Sequence, residues 1–331
     1  MTQDSRGQVA ITIATANYDH VRDLIDGTIT VPGFDLTFHT KPVEQIFGRF
    51  LRTREWEVAE ISMGKYIALK SQGDNSLNAI PVFPNRVFRH AAIYVAANGD
   101  IRSPHDLRGR KIGIPEWALT AVIYARALLA HQFDIGLKEV DWVQGGVNEP
   151  GGAEKVKIAI PTGVNLSFRT DKALTEMLMD GEIDAMIASE PPKAFAIKGS
   201  PIRRLFEDSG DVEAAYWKKF RIFPIMHAIA IRQDILTANP SIGPALFNAF
   251  NEAKTRSVAR LLDRSNAHFP LPWASGAARN IQAAFGEDFW PYGIRKNAET
   301  LKAFAEFALE QGVSQRKVGI EDMFVPSLLD T

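Results

Sequence analysis

Histidines at the start of two strand-like segments carry the side chain best suited to moving a proton. Of seven histidines, His90 and His227 each precede a short apolar run of the kind that forms an interior strand. Imidazole titrates near neutral pH, so it can donate or accept a proton in catalysis. A lone histidine near a strand is more often structural, and this alternative stays open for both.

Polar side chains at the ends of other predicted strands are candidates for binding a ligand. Asn17 and Tyr18 follow the first strand, Glu60 and Ser62 accompany a buried strand, and Glu116 lies in a loop before a helix. Strand ends in α/β folds commonly line the ligand site. Glu60 could equally cap a helix.

The predicted helix TAVIYARALLAHQF offers a second kind of site at its beginning. Helix N-termini present unpaired N–H groups and the positive end of the helix dipole, so a carboxylate near Thr120 would be stabilised. Arg126 lies further along the same helix. It is a weaker candidate for ligand binding because it could simply form a surface ion pair.

The elements that must position these residues alternate along the chain. Residues 9–14 and 34–38 alternate apolar and polar side chains as strands do, and helical patterns follow each of them. From residue 236 onward the apolar spacing is that of helices. This order predicts an α/β protein.

Composition narrows the range of partners and cofactors. Lys and Arg total 38 against 39 Asp and Glu, with both signs interspersed, which argues against nucleic acid. No apolar run is long enough for a membrane helix, and the N-terminus does not resemble a signal peptide, so we expect a cytoplasmic protein. The chain has no Cys, HExxH motif, Walker loop or strand-linked GxGxxG. We therefore predict no cofactor and no metal site, while a divalent metal stays open.

Two segments resemble the second lobe of type 2 periplasmic-binding-protein folds: DLRGRKIGIP at 106–115 and LMDGEIDAMIAS at 178–189. The resemblance implies two lobes, each a mixed sheet flanked by helices, with a ligand cleft between them. One lobe of such a fold is built from both chain ends. By this analogy residues 1–95 and 224–331 form lobe 1, and residues 96–223 form lobe 2.

Four further segments, in this order, resemble the 4,5-dihydroxyphthalate decarboxylase family. They are FPNRVFRH at 83–90, PEWALTA at 115–121, FPIMHAIAIR at 223–232 and FWPYGIRKN at 289–297. The resemblance spans nearly the whole chain and implies a carboxy-lyase of aromatic compound degradation, in phthalate catabolism. The implied reaction converts a hydroxylated aromatic dicarboxylate, such as 4,5-dihydroxyphthalate, to 3,4-dihydroxybenzoate and CO2 without oxidation.

A ligand with two adjacent carboxylates favours arginine, whose planar guanidinium binds carboxylates through paired hydrogen bonds. Arg86 and Arg89 are the first candidates, and Phe83 and Phe88 beside them could pack on an aromatic ring. At a spacing of three, the two arginines of an extended chain point to opposite faces. We therefore doubt that both reach the ligand.

The implied chemistry assigns provisional roles. We expect His90 or His227 to protonate the ring carbon or to accept the phenolic proton, with Glu116 as a candidate catalytic carboxylate. The main alternative is a solute-binding protein of the same fold without chemistry. A thiamine-precursor enzyme of the same superfamily is a weaker one, because its relatives use a cysteine-rich segment. A homodimer is a further expectation from the size of the chain.

Overall fold

The computed structural model describes residues 7–331. The strands within this part of the chain are β1 (Val9–Thr15), β2 (Phe34–Thr40), β3 (Val58–Ser62), β4 (Leu77–Ile80), β5 (Ile93–Ala96), β6 (Lys111–Ile114), β7 (Asp141–Gln144), β8 (Asn165–Phe168), β9 (Ala185–Ile187), β10 (Ile202–Arg204) and β11 (His227–Arg232).

The helices of the same residues surround the strands. They are α1 (Arg22–Ile25), α2 (Val43–Thr53), α3 (Met63–Ser71), α4 (Thr120–Phe133), α5 (Leu174–Met179), α6 (Gly210–Phe220), α7 (Gln233–Ala238), α8 (Ile242–Leu262), α9 (Ala274–Phe285), α10 (Ala298–Glu310) and α11 (Ile320–Met323). None of the helices described is both long and apolar enough to cross a membrane.

The first sheet has the order β2-β1-β3-β11-β4. Strand β1 is parallel to β2 and β3, whereas β11 is antiparallel to β3 and β4. In this register His227 lies opposite Ser62, and Ile229 lies opposite Glu60. Since side chains alternate between faces, Glu60, Ser62 and His227 share one face of the sheet. The pairing brings together residues that are far apart in the sequence.

The second sheet has the order β10-β5-β9-β6-β7-β8. Strands β9, β6, β7 and β8 run parallel, and β5 is antiparallel to both β9 and β10. Each sheet is therefore mixed, which confirms the predicted α/β fold of two mixed sheets flanked by helices. The predicted lobe boundaries stay predictions, and β5, which spans residue 95, belongs to the second sheet.

Helix α4 is buried on all sides near its start, where every residue from Thr120 to Leu129 is inaccessible. A helix that is apolar all round belongs in an interior rather than on a surface. Helix α3, which follows β3, and helix α10 pack against α4. Thr120, the first residue of α4, lies against Ser62 at the end of β3, so the helix that follows β6 of the second sheet begins beside the first sheet.

Candidate active site

A cleft of about 250 Å³ lies between the two sheets. Its walls come from α2, from the ends of β3 and β11, from the segment before β5, and from the loops that follow β6, β7 and β9. Of the residues selected from the sequence, the cleft is lined by Ser62, Arg89, Glu116, Thr120 and His227.

The imidazole of His227 is bound from behind by the carboxylate of Glu60. Nδ1 of His227 lies 2.6 Å from Oε1 of Glu60, and the Glu60 side chain is completely buried. Among the described residues, no group hydrogen-bonds the other ring nitrogen, Nε2. Since His227 lines the cleft, Nε2 is the nitrogen available to a ligand. The buried carboxylate fixes both the orientation and the tautomer of the ring.

Other groups hold Glu60 in its ionised form. Oε1 also accepts a hydrogen bond from the Tyr18 hydroxyl at 2.7 Å, and Oε2 accepts one from the Ala16 N–H at 3.0 Å and one from the Thr15 hydroxyl at 3.2 Å. Burial alone raises the pKa of Glu60, but the hydrogen bonds and the charge of His227 outweigh it, and the pKa is lowered. Glu60 therefore carries a negative charge at neutral pH.

Arg89 supplies a positive charge to the same cleft. Its Nε lies 3.0 Å from the Met226 sulfur, and its Nη1 donates to the Ser189 carbonyl at 3.2 Å. No carboxylate of the described chain forms an ion pair with it. Burial lowers the pKa of Arg89 to about 10, which leaves it charged at neutral pH. A buried cation without a counterion is a site for an anion.

The start of α4 joins the two sides of the cleft. Thr120 Oγ1 lies 2.8 Å from the hydroxyl of Ser62 and accepts the Gly64 N–H at 2.9 Å. A Cβ atom on Gly64 would lie 2.4 Å from the Ala118 carbonyl oxygen. Glycine at this position therefore allows the backbones from the two sides to approach this closely.

Glu116 belongs to an ion-pair network that also crosses the cleft. Its carboxylate contacts Lys65 and accepts a hydrogen bond from Lys155 at 2.7 Å. Lys65 in α3 also donates to Glu154 at 2.7 Å, and its side chain is only 4% exposed. Both carboxylate oxygens of Glu116 are thus engaged by ammonium groups, and these contacts join the two sides of the cleft.

The structure does not bring His90 to the cleft. Instead of beginning a strand, it lies in a short 3₁₀ turn (His90–Ala92) that precedes β5. Its Nε2 lies 2.8 Å from the Gln132 side-chain oxygen, and its ring packs edge-on against Phe206 and Tyr216. Burial lowers the pKa of His90, so the imidazole is neutral in this apolar environment.

Arg86 and Arg126 also lie outside the cleft. Arg86 lines a separate cavity, described below. Arg126 forms no surface ion pair: it is fully buried, donates to the Gln311 side chain at 2.8 Å and to the Trp117 carbonyl at 2.6 Å, and lies 3.7 Å from the Trp117 ring centre. It fixes the loop before α4 against the C-terminal part of the chain.

The end of β1 supports the cleft from behind. Tyr18 reaches Glu60, as described above, and neither Tyr18 nor the exposed Asn17 lines the cleft. The predicted hydrogen bond from these residues to a ring hydroxyl therefore has no support in this geometry. Tyr18 instead supports the carboxylate of Glu60, to which its hydroxyl donates a hydrogen bond.

Comparison with known proteins gives the chain its family. It is 34% identical over 325 residues to the 4,5-dihydroxyphthalate decarboxylase of Comamonas testosteroni, covering 98% of both chains. The chain belongs to the 4,5-dihydroxyphthalate decarboxylase family. The decarboxylase of the same name from Pseudomonas putida is also 34% identical, over 60% of this chain and 77% of the relative. No family model matches the sequence.

Solved structures show how widely the fold of this decarboxylase family is used. The periplasmic aliphatic sulphonate binding protein SsuA of Escherichia coli has a TM-score of 0.54 at 15% identity, covering 98% of this chain and 99% of that one. The desulfurization enzyme DSZB has a TM-score of 0.52 at 14% identity, covering 98% of both chains. At this identity the likeness concerns the fold alone.

Several residues of the decarboxylase cleft were not selected from the sequence. Phe47, Lys65, Asn85 and Lys155 all line it, and Phe47 packs edge-on against the His227 ring with 4.8 Å between ring centres. Lys65 lies three residues after the end of the buried strand β3, and a charged residue so close to an apolar segment is a signal that the sequence offers. The others depend on tertiary contacts. Residues 7–331 contain no cluster of His, Cys, Asp or Glu that could hold a metal ion.

Proposed function

We propose that the protein catalyses the non-oxidative decarboxylation of 4,5-dihydroxyphthalate to 3,4-dihydroxybenzoate and CO2. Membership of the family supports the substrate and the reaction. The observation that carries the mechanism is the juxtaposition, in one cleft, of a histidine backed by a buried carboxylate and an arginine without a counterion.

The chemistry of the substrate requires a proton before CO2 can leave. Direct loss of CO2 from a benzoate would leave an aryl anion whose lone pair lies in the ring plane, where the π system cannot delocalise it. Each carboxylate of 4,5-dihydroxyphthalate has a hydroxyl para to it. When the carboxylate-bearing carbon is protonated, that hydroxyl can release its proton and form a dienone. The enzyme therefore needs a proton donor near the ring carbon.

His227 is the proton donor in this proposal. In its imidazolium form, His227 keeps its Nδ1 proton, which stays hydrogen-bonded to Glu60, and transfers its Nε2 proton to the ring carbon. The hydroxyl para to that carbon gives its proton to water. The C–C bond then breaks, CO2 leaves, and its bonding electrons restore the aromatic ring with a phenolate oxygen. Water protonates the phenolate and His227, so the cycle consumes one proton for each CO2 released.

Arg89 holds the carboxylate that stays on the ring. Its guanidinium has free donor capacity in the cleft, and a carboxylate placed there supplies the counterion that the described chain does not. The N-terminus of α4, near Thr120, adds the positive end of a helix dipole. When Arg89 holds one carboxylate, the carbon that bears the other is oriented toward His227, so the binding contact also positions the substrate for proton transfer.

Closure of the two lobes completes the site. Contacts of Ser62 with Thr120, and of Lys65 with Glu116 and Glu154, join its two sides. Excluding water strengthens the charge interactions of Arg89 and His227 with the substrate. The scheme requires no redox cofactor and no electron sink.

The test is turnover of 4,5-dihydroxyphthalate, followed by chromatography of 3,4-dihydroxybenzoate with and without a chelator. We expect product in both arms, and loss of turnover in His227→Gln with ligand binding retained. His131→Gln is the matched control, because His131 lies on the surface and pairs with Glu310. Saturable binding with unchanged ligand in the wild type would instead show a solute-binding protein.

A further inference from the structure

A second cavity, of about 310 Å³, lies outside the cleft and shares no lining residue with it. It is bounded by the segment before β11, by the ends of α6 and α9, and by the turn that leads into α10. The proposed reaction makes no use of it. Its walls combine aromatic rings with cationic side chains.

Arg86 is the buried charge of this cavity. The residue is 4% exposed, and its guanidinium lies 4.3 Å from the ring centre of Phe223. It donates to the Phe223 carbonyl at 2.8 Å, the Pro291 carbonyl at 3.1 Å and the Asn297 side-chain oxygen at 2.8 Å. All three acceptors are neutral, and Nε finds no hydrogen-bond partner among residues 7–331. Buried cations are normally paired with an anion, but no carboxylate of the described residues forms an ion pair with Arg86.

The charges around the cavity favour an anion. Besides Arg86, the lining includes Arg221 and Lys296, which are both exposed, and one carboxylate, Asp288. Asp288 already accepts hydrogen bonds from Lys254 at 2.9 Å and from Lys296 at 2.8 Å. The cavity is therefore lined by three cationic side chains and one carboxylate, and that carboxylate also binds Lys254, a fourth cation outside the lining. An entering carboxylate meets a net positive site.

The aromatic side chains favour a planar ring. Trp217 and Phe285 stack with 4.6 Å between ring centres and an angle of 10°, and Phe223 meets Phe285 edge-on at 5.5 Å. Arg221 lies over the Trp217 ring at 5.5 Å. Flat aromatic ligands gain stacking and edge contacts from such walls, which aliphatic acids of equal charge do not.

We propose that this second cavity binds a benzoate-type aromatic carboxylate, with the carboxylate directed to Arg86 and the ring against Phe223 and Phe285. The inference goes beyond the proposed function and does not depend on it. Two chain segments link the cavity to the cleft: Arg86 lines the cavity and Arg89 the cleft, and Phe223 lines the cavity whereas Met226 and His227 line the cleft.

The test is isothermal titration with 3,4-dihydroxybenzoate, made in an Arg89→Ala background that removes the proposed carboxylate-binding guanidinium of the cleft. We expect one saturable site to remain. Adding Arg221→Ala and Lys296→Ala should weaken it about tenfold, because two favourable charges are lost. Adding Arg295→Ala and Lys302→Ala is the matched control, since both residues are exposed cations outside the cavity lining. This control should change the affinity less than about twofold.

No saturable binding in the Arg89→Ala background would overturn the proposal, and so would equal affinity in the cavity variant and its control. Cyclohexanecarboxylate, with the same charge and no aromatic ring, should bind more weakly than benzoate, and equal affinity would refute the role of the aromatic walls. Thermal unfolding of each variant checks that it is folded. The titration measures binding and not turnover, so its result can be interpreted even if the protein does not decarboxylate 4,5-dihydroxyphthalate.

Discussion

Replacing Glu60 with Gln tests the buried pair behind the proposed proton donor. The carboxylate accepts hydrogen bonds from His227 and Tyr18 on Oε1, and from Ala16 and Thr15 on Oε2. An amide has a single oxygen, so two of these four donors lose their acceptor. At about 1–3 kcal/mol for each unsatisfied buried group, stability should fall by roughly 2–6 kcal/mol.

The effect on turnover should be larger than the effect on binding. Without the carboxylate, the imidazolium form of His227 loses its negatively charged partner, and we expect kcat to fall about 10²–10⁴-fold with a small change in KM. Steady-state kinetics with 4,5-dihydroxyphthalate measures both, and circular dichroism confirms folding. Tyr18→Phe, which removes one donor to the same oxygen, should cost kcat less than Glu60→Gln does.

Glu57→Gln is the matched control for this experiment. It makes the same change just before β3, at a carboxylate that bonds Thr12 and does not line the cleft. Its kcat should equal that of the wild type. A folded Glu60→Gln protein with wild-type kcat would refute the reasoning.

Three further predictions follow from the cleft. Arg89→Gln should raise KM for 4,5-dihydroxyphthalate roughly 10–100-fold, because a charge-assisted contact with the substrate is lost. Steady-state kinetics measures KM, and an unchanged value would contradict this prediction. Gly64→Ala should lower kcat/KM, because its Cβ would lie 2.4 Å from the Ala118 carbonyl oxygen. Gly48→Ala should not, because its Cβ would come no nearer than 3.8 Å to the flexible side chain of Arg52. Because the pKa of Glu60 is lowered in the folded state, its stabilisation is present above the ordinary value of 4.5 and is lost as pH falls through the folded pKa. Urea unfolding across this pH range should show a weaker acid dependence in Glu60→Gln, and an identical dependence would contradict the assignment.

The fold could be predicted from the sequence because its signals are local. The alternating strand and helix patterns predict an α/β protein, and the resemblance of segments 106–115 and 178–189 to type 2 periplasmic-binding-protein folds implies the two mixed sheets. The start of α4 at Thr120 was equally readable from its apolar run. Such patterns depend on residues close together in the chain.

The site could be predicted only in part because its decisive contacts are distant in sequence. Glu60 and His227 are 167 residues apart, and their pairing follows from the register of β3 against β11, which no local pattern specifies. His90 illustrates the opposite problem. The strand after it begins three residues later, at Ile93, and the intervening 3₁₀ turn directs the side chain away from the cleft. Element boundaries are the part of a sequence-based prediction that residue patterns determine least well.

The measurement that tests the central claim most directly is turnover of 4,5-dihydroxyphthalate in D2O, with CO2 quantified and the product analysed by mass spectrometry and NMR. The account predicts one CO2 for each 3,4-dihydroxybenzoate and one deuterium on the ring carbon that carried the lost carboxylate. That carbon is ortho to the remaining carboxylate. 3,4-Dihydroxybenzoate incubated alone in D2O corrects for exchange. Unchanged 4,5-dihydroxyphthalate, or product without deuterium at that carbon, would contradict the account.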